Sequence, residues 1–89
     1  MAEIPVPASD IFRDFVFDLV EYEVVRKDKS LSKLKGLPDI EDGNRYINFP
    51  LGSDIAVGDE LRAGTTYLAI RKISIETYQG KPAIIKVLY

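Results

Sequence analysis

The second half of the chain alternates short apolar segments with turn-forming residues, and this pattern constrains the fold most. Between Tyr46 and Tyr89, segments rich in Ile, Leu, Val and Tyr are separated by Pro, Gly, Asn and Asp. β-Branched and aromatic residues are favoured in strands, whereas Gly, Pro, Asn and Asp are favoured in turns. Several short strands joined by such turns are typical of a sandwich or barrel. The pattern therefore predicts a mainly β domain, a small barrel or sandwich of the SH3-like or OB-like size.

Individual strands can be assigned in this β-rich core, residues 45–89. A strand over 45–49 is predicted to end at Pro50, and Gly58-Asp59 is predicted to form a tight turn before another short strand. The clearest predicted strand runs from Thr65 to Glu76, and its charged pair Arg71-Lys72 can mark a bulge or bend. A hairpin connection at 79–82 and a final strand at 83–89 complete this half.

The first half is less regular. Residues 1–8 contain Pro5 and Pro7 and are predicted to form an extended leader, either a loose tail or an arm that contacts a neighbouring subunit through Ile4 and Val6. One short helical turn is predicted over 9–14, followed by a long strand over 15–26. A helix that continues to Val20 is the alternative, and it is weakened because Phe17 falls on the polar side of the apolar stripe.

Residues 27–44 are polar, lack a sustained period and are predicted to form one long loop. Basic residues are concentrated at the start of this region, so it can contact phosphates, although a solvated loop is the simpler interpretation. No aromatic residues are interleaved with them, which argues against binding of single-stranded nucleic acid. The candidate partner-facing or DNA-facing residues are Arg26, Lys27, Lys29, Lys33 and Lys35.

Composition excludes several classes of protein. The 89 residues are enough for a single domain, and the net charge of −2 does not indicate a strongly cationic nucleic-acid binder. Cysteine and histidine are both absent. Disulfides, thiolate metal sites and the commonest general acid–base residue are therefore excluded. No segment approaches the roughly 18 apolar residues of a membrane span, and no secretion signal is recognised.

No catalytic, cofactor-binding or metal-binding residue is predicted. Asp54, Asp59 and Glu60 could supply oxygen ligands to a cation, but their spacing matches no calcium loop. An aspartate at a turn more often accepts a hydrogen bond from its own backbone. The serines have no histidine to activate them, so a non-enzymatic protein is expected.

Three segments of the second half resemble small head–tail connector proteins of tailed phages and prophages, the head-completion or stopper proteins. The resemblance lies in an apolar segment ending in Phe49-Pro50, then Asp54-Ile55, the Gly58-Asp59 turn and a hairpin that leads to the C-terminus. The matching segments are 47–61, 66–70 and 78–86.

The resemblance implies a structural β-barrel subunit of a homo-oligomeric ring below the portal, without enzymatic activity. Its partners would be other neck, portal and tail proteins, with non-specific DNA contact as a further possibility. The region 27–44 would then face the channel or a neighbour, and the leader would contact an adjacent subunit. The expected location is the virion, or the host cytoplasm during assembly.

A small SH3-like or OB-like module that binds nucleic acid or peptide is the alternative function. Reversing the charge of Lys29, Lys33 and Lys35 separates the two hypotheses, because non-specific DNA affinity depends on phosphate contacts. A binding module should lose salt-sensitive DNA affinity, measured by fluorescence anisotropy. A structural subunit should show no such affinity to lose, and its docking to protein partners should be unchanged.

Overall fold

The structure, a computed structural model, describes residues 4–89 apart from the side chain of Glu41. Helix α1 spans Ala8–Asp14 and is followed by a 3₁₀ turn, Val16–Asp18. The strands of the described residues are β1 Val20–Val25, β2 Leu31–Glu41, β3 Asn44–Pro50, β4 Glu60–Ala63, β5 Thr66–Ala69, β6 Lys72–Tyr78 and β7 Lys81–Leu88. They form one curled antiparallel sheet in the order β5-β4-β1-β2-β3-β7-β6. The predicted barrel-like β domain with a short N-terminal helix is therefore confirmed as a half-barrel.

Strand β2 belongs to both halves of the curled sheet. Its residues up to Gly36 pair with β1, whereas its residues from Leu37 onward pair with β3. The later part of β2 consequently has one free edge. Pro38 lies in this part, and an edge is where a sheet tolerates a residue that lacks an N–H group.

The crossing point of β2 requires glycine. A Cβ atom added at Gly36 would lie 2.6 Å from Ile47 Cγ2 and 2.7 Å from Phe49 Cε1. Both of these side chains on β3 are fully buried, so neither has free space to move into. The two halves of the sheet can therefore fold towards each other only because β2 has no side chain at this point.

A second crossing joins β5 to β6. Ile70 N donates to Asp59 O at 3.0 Å, and the next residue, Arg71, donates from its backbone N to Leu88 O at 2.9 Å. Consecutive residues thus bond to opposite halves of the barrel. The predicted bend at Arg71-Lys72 is confirmed, and the prediction of one continuous strand over 65–76 is wrong because the chain turns this corner.

The core lies on the concave side of the sheet. Within the core, the rings of Tyr22 and Phe49 meet edge to face with centroids 5.9 Å apart. Burial raises the pKa of the Tyr22 hydroxyl, and the nearby Tyr89 adds to the rise. The cluster of buried residues comprises Tyr22, Val24, Ile47, Phe49, Leu61, Ile70, Ile85 and Val87.

The turn before β4 confirms the structural interpretation of Asp59. Its carboxylate is buried, and Asp59 Oδ2 accepts a hydrogen bond from Ala56 N at 3.0 Å. Gly58 N donates to Ile70 O, which ties the same turn to the second crossing. Asp59 therefore satisfies backbone groups of its own turn, as aspartates in turns commonly do.

Two predictions for the first half are wrong. The long strand over 15–26 is replaced by the 3₁₀ turn and the shorter β1, although the helical turn over 9–14 is confirmed by α1. The region 27–44 is not one long loop, because β2 occupies most of it. Strand β2 contains Gly36 and the exposed Pro38, so its apolar alternation is too incomplete to recognise. Residues 1–3 of the predicted leader lie outside the described residues.

Replacing Gly36 with Ala should destabilise the protein by about 1–3 kcal/mol, because the added methyl group overpacks the crossing against Ile47 and Phe49. Urea denaturation measures this change in the free energy of unfolding. Lys35→Ala, at the neighbouring exposed position, is the control and should change it by less than about 0.5 kcal/mol. A Gly36→Ala variant as stable as the wild-type protein would contradict this account of the crossing.

Candidate protein-docking site

The N-terminal segment is attached to the outer side of the sheet. Ile4 N donates to Thr77 O on β6 at 2.7 Å, and α1 contacts β3. Pro7 directly precedes the helix with φ −55°, a value that its ring favours. None of the residues of α1 is buried, so this helix is a superficial layer added to the barrel.

The chain exposes three consecutive apolar residues where α1 ends. Phe15 and Val16 are each about half exposed, at 49% and 52%, and Phe17 is 99% exposed. Phe15 N donates to Ile11 O, and the 3₁₀ turn Val16–Asp18 then leads into β1. A fully exposed phenylalanine beside other exposed apolar residues is typical of an interaction surface rather than of an isolated monomer.

A groove of about 670 Å³ lies beside these residues, between the N-terminal segment and the later part of β2. Most of its lining is apolar, and the charged side chains among its described lining residues are the carboxylates of Asp18 and Asp39. Asp39 accepts hydrogen bonds from Ile40 N at 2.7 Å and from the Tyr46 hydroxyl at 3.4 Å. The groove is lined by Pro5, Val6, Ile11, Phe15, Asp18, Leu37, Pro38, Asp39 and Asn48.

The two predicted arm residues have different surroundings. Val6 lines the groove and is 41% exposed. Ile4 is half-buried and donates its backbone N–H to Thr77 O of the same chain. The described part of the leader is thus folded against its own barrel, and the contact of Ile4 and Val6 with a neighbouring subunit stays a prediction.

The five predicted basic residues do not form one continuous basic surface. Arg26 lies close to Asp54, with Nη2 3.0 Å from Oδ2 and a further hydrogen bond to the Asp54 carbonyl oxygen. Lys27 and Lys29 lie in the turn between β1 and β2. On β2 itself, Lys33 pairs in register with Glu23 and Lys35 with Glu21.

The cross-strand pairing on β1 and β2 brings opposite charges together, which weakens the case for a DNA-binding face. The pattern continues on β4, where Arg62 Nε is 2.8 Å from Glu60 Oε1 and the Arg62 guanidinium lies over the Tyr67 ring at 5.1 Å. The hydrogen bond to Glu60 raises the pKa of Arg62. Acidic and basic residues therefore alternate across this half of the convex surface.

The other half of the convex surface carries a half-buried ion pair. Lys86 Nζ is 3.2 Å from Glu76 Oε1, and it also lies 4.0 Å from the centroid of the Tyr46 ring. These groups bond to one another across β6, β7 and β3. The arrangement is a structural cross-link of these three strands.

Among the side chains that the structure describes, no cluster of three or more from Asp, Glu, His or Cys could hold a metal ion. None of the described helices is long and apolar enough to cross a membrane. The expectation of a non-enzymatic protein stays a prediction.

Comparison with known proteins found no matching family, no similar curated protein and no similar solved structure. The resemblance to phage head–tail connectors consequently stays a prediction from the sequence.

The groove was missed by the sequence analysis, because its walls are far apart in sequence. Phe17 did provide a signal, since it lies off the apolar stripe of the helical pattern. The sequence analysis interpreted the off-stripe position of Phe17 as favouring a strand. The structure shows instead that the Phe17 side chain lies outside the core and is exposed.

Replacing Phe17 with Ser should change the free energy of unfolding by less than about 0.5 kcal/mol, because the ring is fully exposed. Phe49→Ser is the comparison and should cost about 3–5 kcal/mol, because that ring is fully buried. Thermal denaturation followed by circular dichroism measures both. A large loss of stability in Phe17→Ser would show that Phe17 serves the fold and not an interaction.

Proposed function

We propose that this chain is a non-enzymatic structural subunit of a tailed-phage particle, where it helps to join the head to the tail. The observation that carries the proposal is the exposed surface Phe15-Val16-Phe17 beside the apolar groove. Exposing such a surface to water costs about 25 cal/mol of free energy for each Å² of apolar area. Docking to another protein recovers this free energy.

The rest of the domain suits a structural role. The barrel has a closely packed core, whereas the helix next to the exposed residues has no buried side chain. A rigid body that carries a superficial docking element can contact several neighbours without rearranging its core. Portal, neck and tail proteins are the partners that the sequence resemblance suggests, in the virion or in the host cytoplasm during assembly.

A peptide-binding module remains the second candidate, because the groove is open and mostly apolar. A nucleic-acid module is less well supported. Arg26 is paired with Asp54, and Lys33 and Lys35 stand opposite glutamates, so carboxylates beside these three predicted basic residues would oppose the approach of phosphates.

An affinity pull-down tests the proposal. The tagged protein, purified from a nuclease-treated lysate of phage-producing cells, should recover portal, neck or tail proteins identified by mass spectrometry. Phe17→Ser should reduce this recovery about tenfold or more. Removing an aromatic side chain that is buried in an interface costs ~2 kcal/mol of binding free energy, and a tenfold change in affinity corresponds to about 1.4 kcal/mol.

Tyr67→Ser is the matched control, because Tyr67 is also an exposed aromatic residue, at 63%, but lies on β5 away from the groove. It should leave recovery unchanged. Recovery of nucleic acid and its usual binding proteins alone would overturn the proposal and favour the small binding modules. If the Phe17→Ser variant recovers as much phage protein as the wild-type protein does, this surface is not the one that carries the function.

A further inference from the structure

The N-terminal segment 4–18, which we call the strap, contributes no side chain to the core. None of its residues is buried, and all of the buried residues that the structure describes lie in the barrel. The two large apolar residues of α1, Ile11 and Phe12, are only half-buried. In chain order, the partly buried side chains that pack against the core begin at Val20, where β1 starts. The core is therefore complete without the strap.

Two grooves lie between the strap and the barrel. The larger is the groove described above. The smaller, of about 370 Å³, has Pro7 and Ala8 of the strap on one wall and Leu51, Tyr78 and Pro82 of the barrel on the other. Closely packed protein interiors leave few voids larger than a water molecule. Along both grooves, therefore, the strap rests on the barrel without close packing.

The polar contacts of α1 do little to hold the strap closed. Arg13 Nη2 lies 3.0 Å from Asp10 Oδ1, and Arg13 Nε lies 3.3 Å from Asp14 Oδ1, so both ion pairs are internal to the strap and exposed. The helix has seven residues, and no side-chain hydrogen bond caps its first turn. Helices shorter than about 12 residues are marginal in water unless they pack against other elements.

The strap covers part of an edge strand. Strand β6 is the last strand in the order of the sheet, and Ile4 N donates to Thr77 O on it at 2.7 Å. The outer backbone groups of an edge strand are open to pairing with other segments unless something covers them. Closed, the strap occupies this position on β6. Open, it would expose the position to solvent.

We propose that the strap opens as one unit, hinged at Leu19, while the barrel stays folded. Leu19 is extended, with φ −69° and ψ 137°, and the next residue, Val20, is fixed by its pairing with Gly36 of β2. Opening would uncover the outer edge of β6 and move Phe15 and Phe17 relative to the barrel. This motion is a property of the single chain and goes beyond the proposed function.

Amide hydrogen exchange of the purified chain, followed by NMR, tests the motion. In the strap, the reporters are the hydrogen-bonded amides of Ile4 and Phe15, and in the barrel they are those of Ile70 and Arg71. After correction for intrinsic exchange rates, the strap amides should exchange at least about 100-fold faster than the barrel amides, because a separate unit opens without global unfolding. Equal protection of all four amides would overturn the proposal.

Arg13→Pro tests whether the strap moves as one unit, because proline in the interior of a helix removes a backbone hydrogen bond and clashes with the preceding turn. Exchange at Ile4 should accelerate about tenfold or more, although Ile4 lies outside the helix, and exchange at Ile70 should change less than about twofold. Ala8→Pro is the matched control. It places proline at the first helical position, after Pro7 with ψ 142°, where the helix accommodates it, and should leave exchange unchanged.

The effect of Arg13→Pro on global unfolding provides a second readout. A helix that unfolds together with the barrel should raise the unfolding equilibrium constant about 100-fold when proline breaks it. An independently opening strap should raise it less than about tenfold, because the barrel does not depend on the helix. Continued protection of Ile4 in this variant, or loss of protection at Ile70 as large as that at Phe15, would contradict the strap.

Discussion

The packing of Ile47 and Phe49 against Gly36 is the contact on which the rest of the structure depends. It allows β2 to pass from one half of the curled sheet to the other, so that both halves enclose a single core. It also determines the position of the candidate docking site. The residues of β2 just beyond the crossing, Leu37, Pro38 and Asp39, form one wall of the groove, and the N-terminal segment forms the other.

Much of the fold could be predicted from the second half of the sequence, because its strands are short, apolar and separated by strong turn formers. The hairpin between β6 and β7 and the turn at Asp59 follow this rule. Strand β2 could not be predicted in the same way. It contains Gly36 and Pro38, which lower strand propensity, and its pairing with β1 up to Gly36 and with β3 from Leu37 onward makes the strand favourable.

The candidate site was less predictable than the fold, because it is formed by segments that are far apart in sequence. Val6 was named in advance as a residue that contacts a partner, and it lines the groove. The predicted cluster of basic residues was divided by the structure, since Lys33 and Lys35 stand opposite glutamates while Lys27 and Lys29 remain in a turn. Charge spacing along a sequence cannot reveal such pairing, because it depends on the register between strands.

Photo-crosslinking from position 17 tests the central claim, that the surface around Phe17 docks protein subunits in an assembled particle. A benzophenone amino acid would replace Phe17 in phage-producing cells, and in a parallel experiment it would replace Tyr67. We expect irradiation of assembled particles to give covalent adducts with protein subunits from position 17 and few from position 67. Absence of adducts from position 17, or adducts with nucleic acid alone, would contradict the account.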